Sequence, residues 1–293
     1  MFKSSNTIFS IVIPTLNEEK YLPKLLDDLS KQTLQEFEVI VVDGHSDDKT
    51  IRESKKFAKK LPMLRIIESK RRNVSFQRNL GAGYVKSEWI IFMDADDRLP
   101  QFFLEGINYK INLTKADVFT SWINVDSEVA ADNAIANIIN IGGELKKMIN
   151  YPGAMGAMIG IKTDGFKEVG GFNESIPYAE DGVFIRDCYK KGLKFQIFRD
   201  PIFIYSLRRH RRSGRLNIIR KHAYLQLKRI ANRRINQENE YPMGGNVELD
   251  KKEKYFFKNF NNDLKILVKK PKLLKKLKSL LVTLDDDFRN ISN

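Results

Sequence analysis

Three carboxylates, Asp94, Asp96 and Asp97, follow directly on the apolar run Trp89-Ile90-Ile91-Phe92-Met93. Acids this close repel one another unless a cation sits among them. Hard carboxylate oxygens suit Mg²⁺ or Mn²⁺, and Mg²⁺ is commonly shared between one or two carboxylates and substrate phosphates. A solvated acidic turn, or Asp96 and Asp97 opening the next helix, would look the same in isolation. Two other apolar runs also end in polar groups: Ile8 to Ile13 leads into Pro14-Thr15-Leu16-Asn17-Glu18, and Phe37 to Val42 into Asp43-Gly44-His45-Ser46-Asp47-Asp48. Arg78 and Asn79 stand just before Gly81, and a guanidinium matches a diphosphate through paired, charge-assisted bonds. Each residue alone has an ordinary reading, such as Asn17 and Asp48 as helix caps or Arg78 on a solvated face. Gathered at one sheet edge, they form an acidic, hydrogen-bonding crevice.

The elements that must gather them alternate. Leu22, Leu25, Leu26 and Leu29 lie on one helical face within Glu18 to Gln32,. Ser46, Asp47 and Asp48 start a segment that runs to Leu61, with Pro62 as a stop. Leu64 to Glu68 reads as a strand, Ser75 to Lys86 as a helix and Trp89 to Met93 as the next strand. Strand–helix alternation implies a parallel sheet with right-handed crossovers, whose strand carboxyl ends converge where open α/β folds hold ligands. Beyond Pro100 the rhythm changes. Phe102 to Leu113 is expected to be helical, Val118 to Val125 extended, and Ala130 to Ile149 helical with an interruption at Gly142-Gly143. Residues 153–158 are small and suit close approach of backbone or ligand. Asp181 to Lys191 is a predicted helix with Gly192 as its stop.

Of the 293 residues, 30% are charged and 42% hydrophobic, as in soluble globular proteins,. A single cysteine, Cys188, excludes an internal disulfide framework and a cysteine-based zinc site. Residues 1–13 lack the features of a signal peptide, and no run approaches the roughly 18 apolar residues of a spanning helix. The net charge of +14 is uneven, with eleven Lys/Arg and no acid between Ser206 and Asn236. Such an excess points to phosphate-rich partners or to a solvated surface. Few aromatic residues interleave with these arginines, which argues against a single-stranded nucleic-acid platform.

The ordered motifs Ile11 to Glu18, Val41 to Thr50, Arg78-Asn79-Leu80-Gly81, Phe92 to Asp97, Val169 to Glu174 and Glu180-Asp181 resemble those of glycosyltransferase family 2 over roughly residues 8 to 213. The resemblance implies the α/β GT-A fold, a mostly parallel sheet flanked by helices. It also implies an inverting, metal-dependent transfer from a nucleotide-diphosphate sugar to an acceptor hydroxyl. Pro14, Thr15, Asn17 and Glu18 would then border the nucleotide, Asp43 would bond the base, and Arg78 would lie near the diphosphate. Asp94, with Ala95 beside it, would touch ribose or donor sugar. Asp96 would ligate Mn²⁺ or Mg²⁺, and Asp181 would be the general base. The chain departs from the family at Asp43-Gly44-His45-Ser46, where a second carboxylate is missing and His45 is expected to face solvent. A family histidine that completes the metal shell would fall near residues 206–213, where His210 fits either as ligand or as a phosphate contact.

Domain organisation follows: residues 1–236 as the transferase domain (nucleotide-binding half 1–98, acceptor half 99–236), 237–250 as a linker and 251–293 as a Lys-rich helical tail. Leu273, Leu274, Leu277, Leu280, Leu281 and Leu284 share one face of that tail beside Lys272, Lys275, Lys276 and Lys278,. Such a helix either lies on an anionic membrane surface or packs on the domain. The acceptor would be a glycan or lipid-linked hydroxyl, the location cytoplasmic or peripheral at the inner face of a membrane, and nucleic acid no partner. A nucleotidyltransferase would share the metal and nucleotide but is expected to carry a Gly-rich, basic loop where Pro14 to Glu18 stands.

Overall fold

The computed structural model describes residues 7–213 except 62, 149, 151, 155 and 177, and omits the side chains of 130, 131, 210, 212 and 213. The part of the basic run beyond residue 213, the linker at 237–250 and the tail at 251–293 lie outside the described residues. Seven strands form one sheet: β1 (Phe9–Thr15), β2 (Phe37–Asp43), β3 (Leu64–Glu68), β4 (Trp89–Met93), β5 (Val118–Val125), β6 (Met158–Lys162) and β7 (Phe195–Tyr205). Their spatial order is β3-β2-β1-β4-β6-β5-β7. Strands β1 to β4 are parallel, whereas β6 runs antiparallel to both β4 and β5. The order reverses beside β1, so β2 and β4 flank it and open a crevice at their carboxyl ends.

Side-chain alternation along a strand explains the two-sided core. Phe9, Ile11 and Ile13 pack on one face with α1 (Leu22–Ser30), and Val12 faces the opposite layer with Ile40, Ile90 and Phe92. Helices α2 (Thr50–Lys55), α3 (Val74–Ala82), α4 (Phe103–Thr114), α5 (Ala130–Met148), α6 (Thr163–Val169), α7 (Glu180–Lys190) and α8 (Arg208–Ser213) complete the described fold. The expected break at Gly142-Gly143 is absent, since α5 runs through both glycines. Each costs a helix interior about 1 kcal/mol relative to Ala. Local propensity is overridden because α5 is fastened to β5: the Asn140 amide accepts from the Ile123 N–H and donates to the Ile123 carbonyl, both at 2.9 Å. Cys188 is buried, and burial pushes its thiol up to about 12, leaving it an inert core side chain,.

A buried aromatic cluster fixes the second half against the first. Phe172 stacks on Phe184 of α7 at 4.2 Å and meets Phe92 of β4 edge-on at 5.0 Å. Asn79 of α3 locks the same point from the other side. It accepts from the Phe172 N–H and donates to the Phe172 carbonyl, each at 2.8 Å. Gly171 must be glycine here: its φ is +80°, and an added Cβ would lie 2.7 Å from Asn79 Oδ1. Gly171→Ala should therefore lower stability by at least about 1–2 kcal/mol from the backbone alone. Urea unfolding of the full chain measures this, and an unchanged midpoint would refute the packing account.

Candidate active site

The first strand end turns sharply. Asn17 adopts a left-handed φ of 57°, its N–H donates to Ser46 Oγ (2.8 Å), and its Oδ1 accepts from the Asp47 N–H (2.8 Å). The Asp43 carboxylate is fully buried and holds that loop, Oδ1 accepting from Ser46 Oγ (2.6 Å) and Oδ2 from Ser46 N–H (2.8 Å). The expected contact with a base would fall to a carboxylate that already holds Ser46. His45 is exposed, as its position in the turn implied. Pro14 and Thr15 are buried in the strand end, so of this group Asn17 is the residue that remains partly open.

Arg78, expected near the diphosphate, has a side chain only 2% exposed, and its guanidinium is held by protein groups. Nη1 donates to Glu180 Oε1 at 3.0 Å, while Nη2 donates to Asp94 Oδ1 at 3.2 Å and to the Gly156 carbonyl at 2.8 Å. The Phe172 ring lies 5.1 Å beneath the guanidinium. One buried cation thereby bolts the end of β4 to the start of α7. Gly156 permits this, because a Cβ there would sit 3.1 Å from Arg78 Nη2 and 3.2 Å from Asp181 Oδ2.

That bolt distinguishes the two acids at the α7 N-terminus, where negative charge is favoured. Glu180 is ion-paired to Arg78. Asp181 makes no direct ion pair among the described residues: its Oδ1 accepts from the Gly182 N–H at 2.7 Å, and the Gly156 N–H and the more distant Arg78 charge also favour its ionised form. Burial, then the neighbouring Glu180 charge, raise the Asp181 carboxyl to about 6. Asp94 is pushed to about 6 as well, chiefly by burial and despite Arg78, although 36% of its side chain opens to the crevice. Asp97 is fully buried, neither carboxylate oxygen has a hydrogen-bond partner, and burial drives its pKa well above the carboxylate range.

A second buried cation serves the other side. Arg208, at the start of α8, forks both nitrogens onto Glu18, Nη1 to Oε2 at 2.7 Å and Nη2 to Oε1 at 2.6 Å. Nη2 also lies 3.0 Å from Asp96 Oδ2, and the guanidinium covers Tyr21 at 4.1 Å. Burial outweighs this pairing and lifts Glu18 to about 7, with the charges of Asp96 and Asp94 adding to the rise. Glu18 therefore faces inward, and its contribution to the crevice edge is through Arg208. The side chain of His210 lies outside what is described, so its expected ligand role finds no geometry here.

Among the described residues, no three His, Cys, Asp or Glu side chains converge on one point as a ready metal cage. The donors present nonetheless suit a cation that takes most of its ligands from phosphates. Asp94 is partly open, Asp96 keeps Oδ1 clear of its Arg208 contact, and the orphaned Asp97 carboxyl below marks a local excess of acid,. Sequence reasoning did not single out Arg208 or the buried Gln77, whose Nε2 bridges the Thr15 (3.0 Å) and Val42 (2.7 Å) carbonyls. The acid-free run 206–213 was the only signal for Arg208, and it could not say which arginine turns inward.

A mostly parallel sheet with an acidic crevice at its β1/β4 edge, joined through antiparallel β6 to a second half, is the GT-A class of fold. Residues 10–170 match the glycosyl transferase family 2 model, and the chain belongs to that family. The poly(ribitol-phosphate) beta-N-acetylglucosaminyltransferase TarS of Staphylococcus aureus is 34% identical over 113 residues, 38% of this chain and 20% of TarS. A PGL/p-HBAD biosynthesis glycosyltransferase of Mycobacterium tuberculosis is 39% identical over 93 residues, 31% of this chain and 36% of that protein. The chain thus matches well under half of these relatives' lengths. In fold it is similar to S. aureus TarS 1-349 in complex with UDP-GlcNAc (TM-score 0.58, 21% identity, 80% of this chain and 69% of that one). It is also similar to the mannosyltransferase PcManGT from Pyrobaculum calidifontis in complex with GDP-Man and Mn²⁺ (TM-score 0.56, 16% identity, 96% and 82%).

Proposed function

We propose that this protein transfers a sugar from a nucleotide-diphosphate sugar to an acceptor hydroxyl, with inversion at the anomeric carbon. The observation that carries the reading is the Arg78 bolt, which joins the Asp94–Asp96 strand end to the helix start bearing Asp181. Donor and acceptor groups are thereby held by two halves of the sheet that share one buried cation. Asp181 accepts the acceptor hydroxyl proton at a carboxylate oxygen as that oxygen bonds the anomeric carbon. The bond to the diphosphate breaks on the opposite side, and the proton stays on Asp181 as the nucleoside diphosphate departs. Asp96, with Asp94 beside it, would hold Mn²⁺ or Mg²⁺. That ion neutralises charge on the leaving diphosphate when bound. The loop fixed by Asp43, Ser46 and Asn17 forms the nucleotide edge, while Ala95, between the two acids and expected beside the donor, is 4% exposed and packs into the core.

The names of the similar structures make UDP and GDP sugars the donors to try first. Calorimetry should show that UDP or GDP binds more tightly with Mn²⁺ than without, and that Asp96→Ala removes this gain. Metal-independent binding that is unchanged in Asp96→Ala would sink the assignment. The acceptor, a glycan or a lipid-linked hydroxyl, belongs to the same proposal.

No helix among the described residues is long and apolar enough to cross a membrane. The Leu/Lys pattern of 272–284 supports peripheral attachment to an anionic membrane through a tail separate from the 1–236 domain. Truncation after Pro242 should abolish binding to anionic liposomes while leaving donor hydrolysis intact. Liposome binding that survives the truncation would move the docking surface to the arginines between 211 and 234, Arg208 being buried.

A further inference from the structure

Beside the crevice, in the second half of the sheet, lies a cleft of about 360 Å³ between α5, β5 and β7. That volume is at the lower end of small-molecule sites. Its walls are chiefly apolar and include Ile138, Ile139 and Ile197 together with the buried Ile123 and Phe203. The glycines of α5 keep it open. Gly142 has nothing within 4 Å of where a Cβ would be, and neither does Gly153 across the cleft. Packing therefore does not require glycine at 142, in a helix that would be better served by almost any other residue.

The polar groups in the walls divide sharply. Asn140 is spent on Ile123, and Thr120 Oγ1 donates to the Met158 carbonyl at 2.8 Å. Trp122 Nε1–H is buried with no acceptor, and Lys146 makes no ion pair among the described residues. The acid nearest in sequence, Glu144, is already paired with Arg199 at 3.1 Å. What remains unanswered are donors and positive charge, the complement of an anionic group. Ile138 of the wall is 65% exposed, and beyond the lining Ile141 and Met148 of α5 are 40% and 76% exposed, continuing the apolar surface outward,.

The cleft lies within reach of the reaction centre: Gly153 and Ala154 line it, Gly156 abuts Asp181, and the three residue steps from Gly153 to Gly156 span no more than about 11 Å,. We infer that this cleft binds the apolar portion of a lipid-carried acceptor, whose anionic linkage meets Lys146 and Trp122 Nε1–H while its hydroxyl reaches Asp181. The inference rests on the transferase reading above and adds the acceptor class to it.

Calorimetry on the full chain with decyl phosphate below its micellar concentration tests this, with inorganic phosphate and decanol as matched controls. Decyl phosphate should bind the native protein. Gly142→Leu should weaken it about tenfold or more, because the new side chain takes the volume of several buried methylenes. Trp122→Phe, which keeps the shape and removes the donor, should weaken it severalfold and carries the test if the first variant does not fold. Mn²⁺-dependent UDP or GDP binding should be unchanged in both variants and should not displace decyl phosphate. No binding, equal binding by native protein and variants, equal binding of inorganic phosphate, or displacement by the nucleotide would each overturn the inference. Failure of the transferase reading looks different: the native protein would neither bind the nucleotides nor hydrolyse their sugars, whatever decyl phosphate does.

Discussion

Asp181→Asn should reduce sugar transfer by about 10²–10⁴-fold, the usual worth of a general base, while leaving nucleotide affinity within error of the native protein. The substitution preserves shape and keeps an oxygen for the Gly182 N–H, but its amide nitrogen cannot accept from the Gly156 N–H as the carboxylate does, so the unfolding midpoint of the variant is measured beside its rate. Glu180 cannot readily substitute, because its carboxylate is held by Arg78 at 3.0 Å. The pH profile adds a second check. With the Asp181 carboxyl raised to about 6, kcat/KM in the native protein should climb as pH rises through that value and then level, since the base acts ionised. Stability runs the other way: a carboxyl whose folded pKa exceeds 3.8 favours the fold most below 3.8 and loses that contribution as pH rises through about 6,. Near-normal transfer by the variant, or a profile without the rise, would place the base elsewhere.

The parts of this site that were legible in the sequence are local. A strand that ends at Met93 delivers Asp94 and Asp96 to the sheet edge because β4 is five buried residues long. The same holds for Thr15 and Asp43, which lie opposite each other in the β1–β2 register. What was not legible depends on partners far apart in the chain. Glu18 and Arg208 are 190 residues apart, and nothing local says that Glu18 turns inward. Arg78 reads as a phosphate ligand by type, yet its three partners come from Asp94, Gly156 and Glu180. Antiparallel β6 was missed because its five residues follow a Gly-rich stretch and resemble a loop end. The paired glycines 142 and 143 suggest a break that the fold does not make, because tertiary fastening at Asn140 outweighs helix propensity,.

Arg208→Ala should destabilise the fold by about 3–5 kcal/mol, the cost of stripping one partner from a buried ion pair. Arg208 is 5% exposed, Glu18 is equally buried, and the two bonds between them are 2.6 and 2.7 Å. Removing the guanidinium leaves the Glu18 carboxyl desolvated beside Asp96 with no cation bonded to either, since the other buried cation, Arg78, is engaged by Asp94 and Glu180. Arg208→Lys should recover only part of the loss, because an ammonium cannot span both Glu18 oxygens and Asp96 at once. The double variant Glu18→Gln with Arg208→Met separates charge from packing. If the penalty is mainly an unpaired buried charge, the double variant is more stable than Arg208→Ala and approaches the native protein. Chemical denaturation across this set measures the coupling directly. Nucleotide affinity should fall in every variant that frees Asp96 Oδ2, the double variant included, since Arg208 orients that carboxylate at 3.0 Å. A double variant that regains stability but not nucleotide binding would assign Arg208 to positioning Asp96. Recovery of both would reduce the arginine to a neutraliser of Glu18.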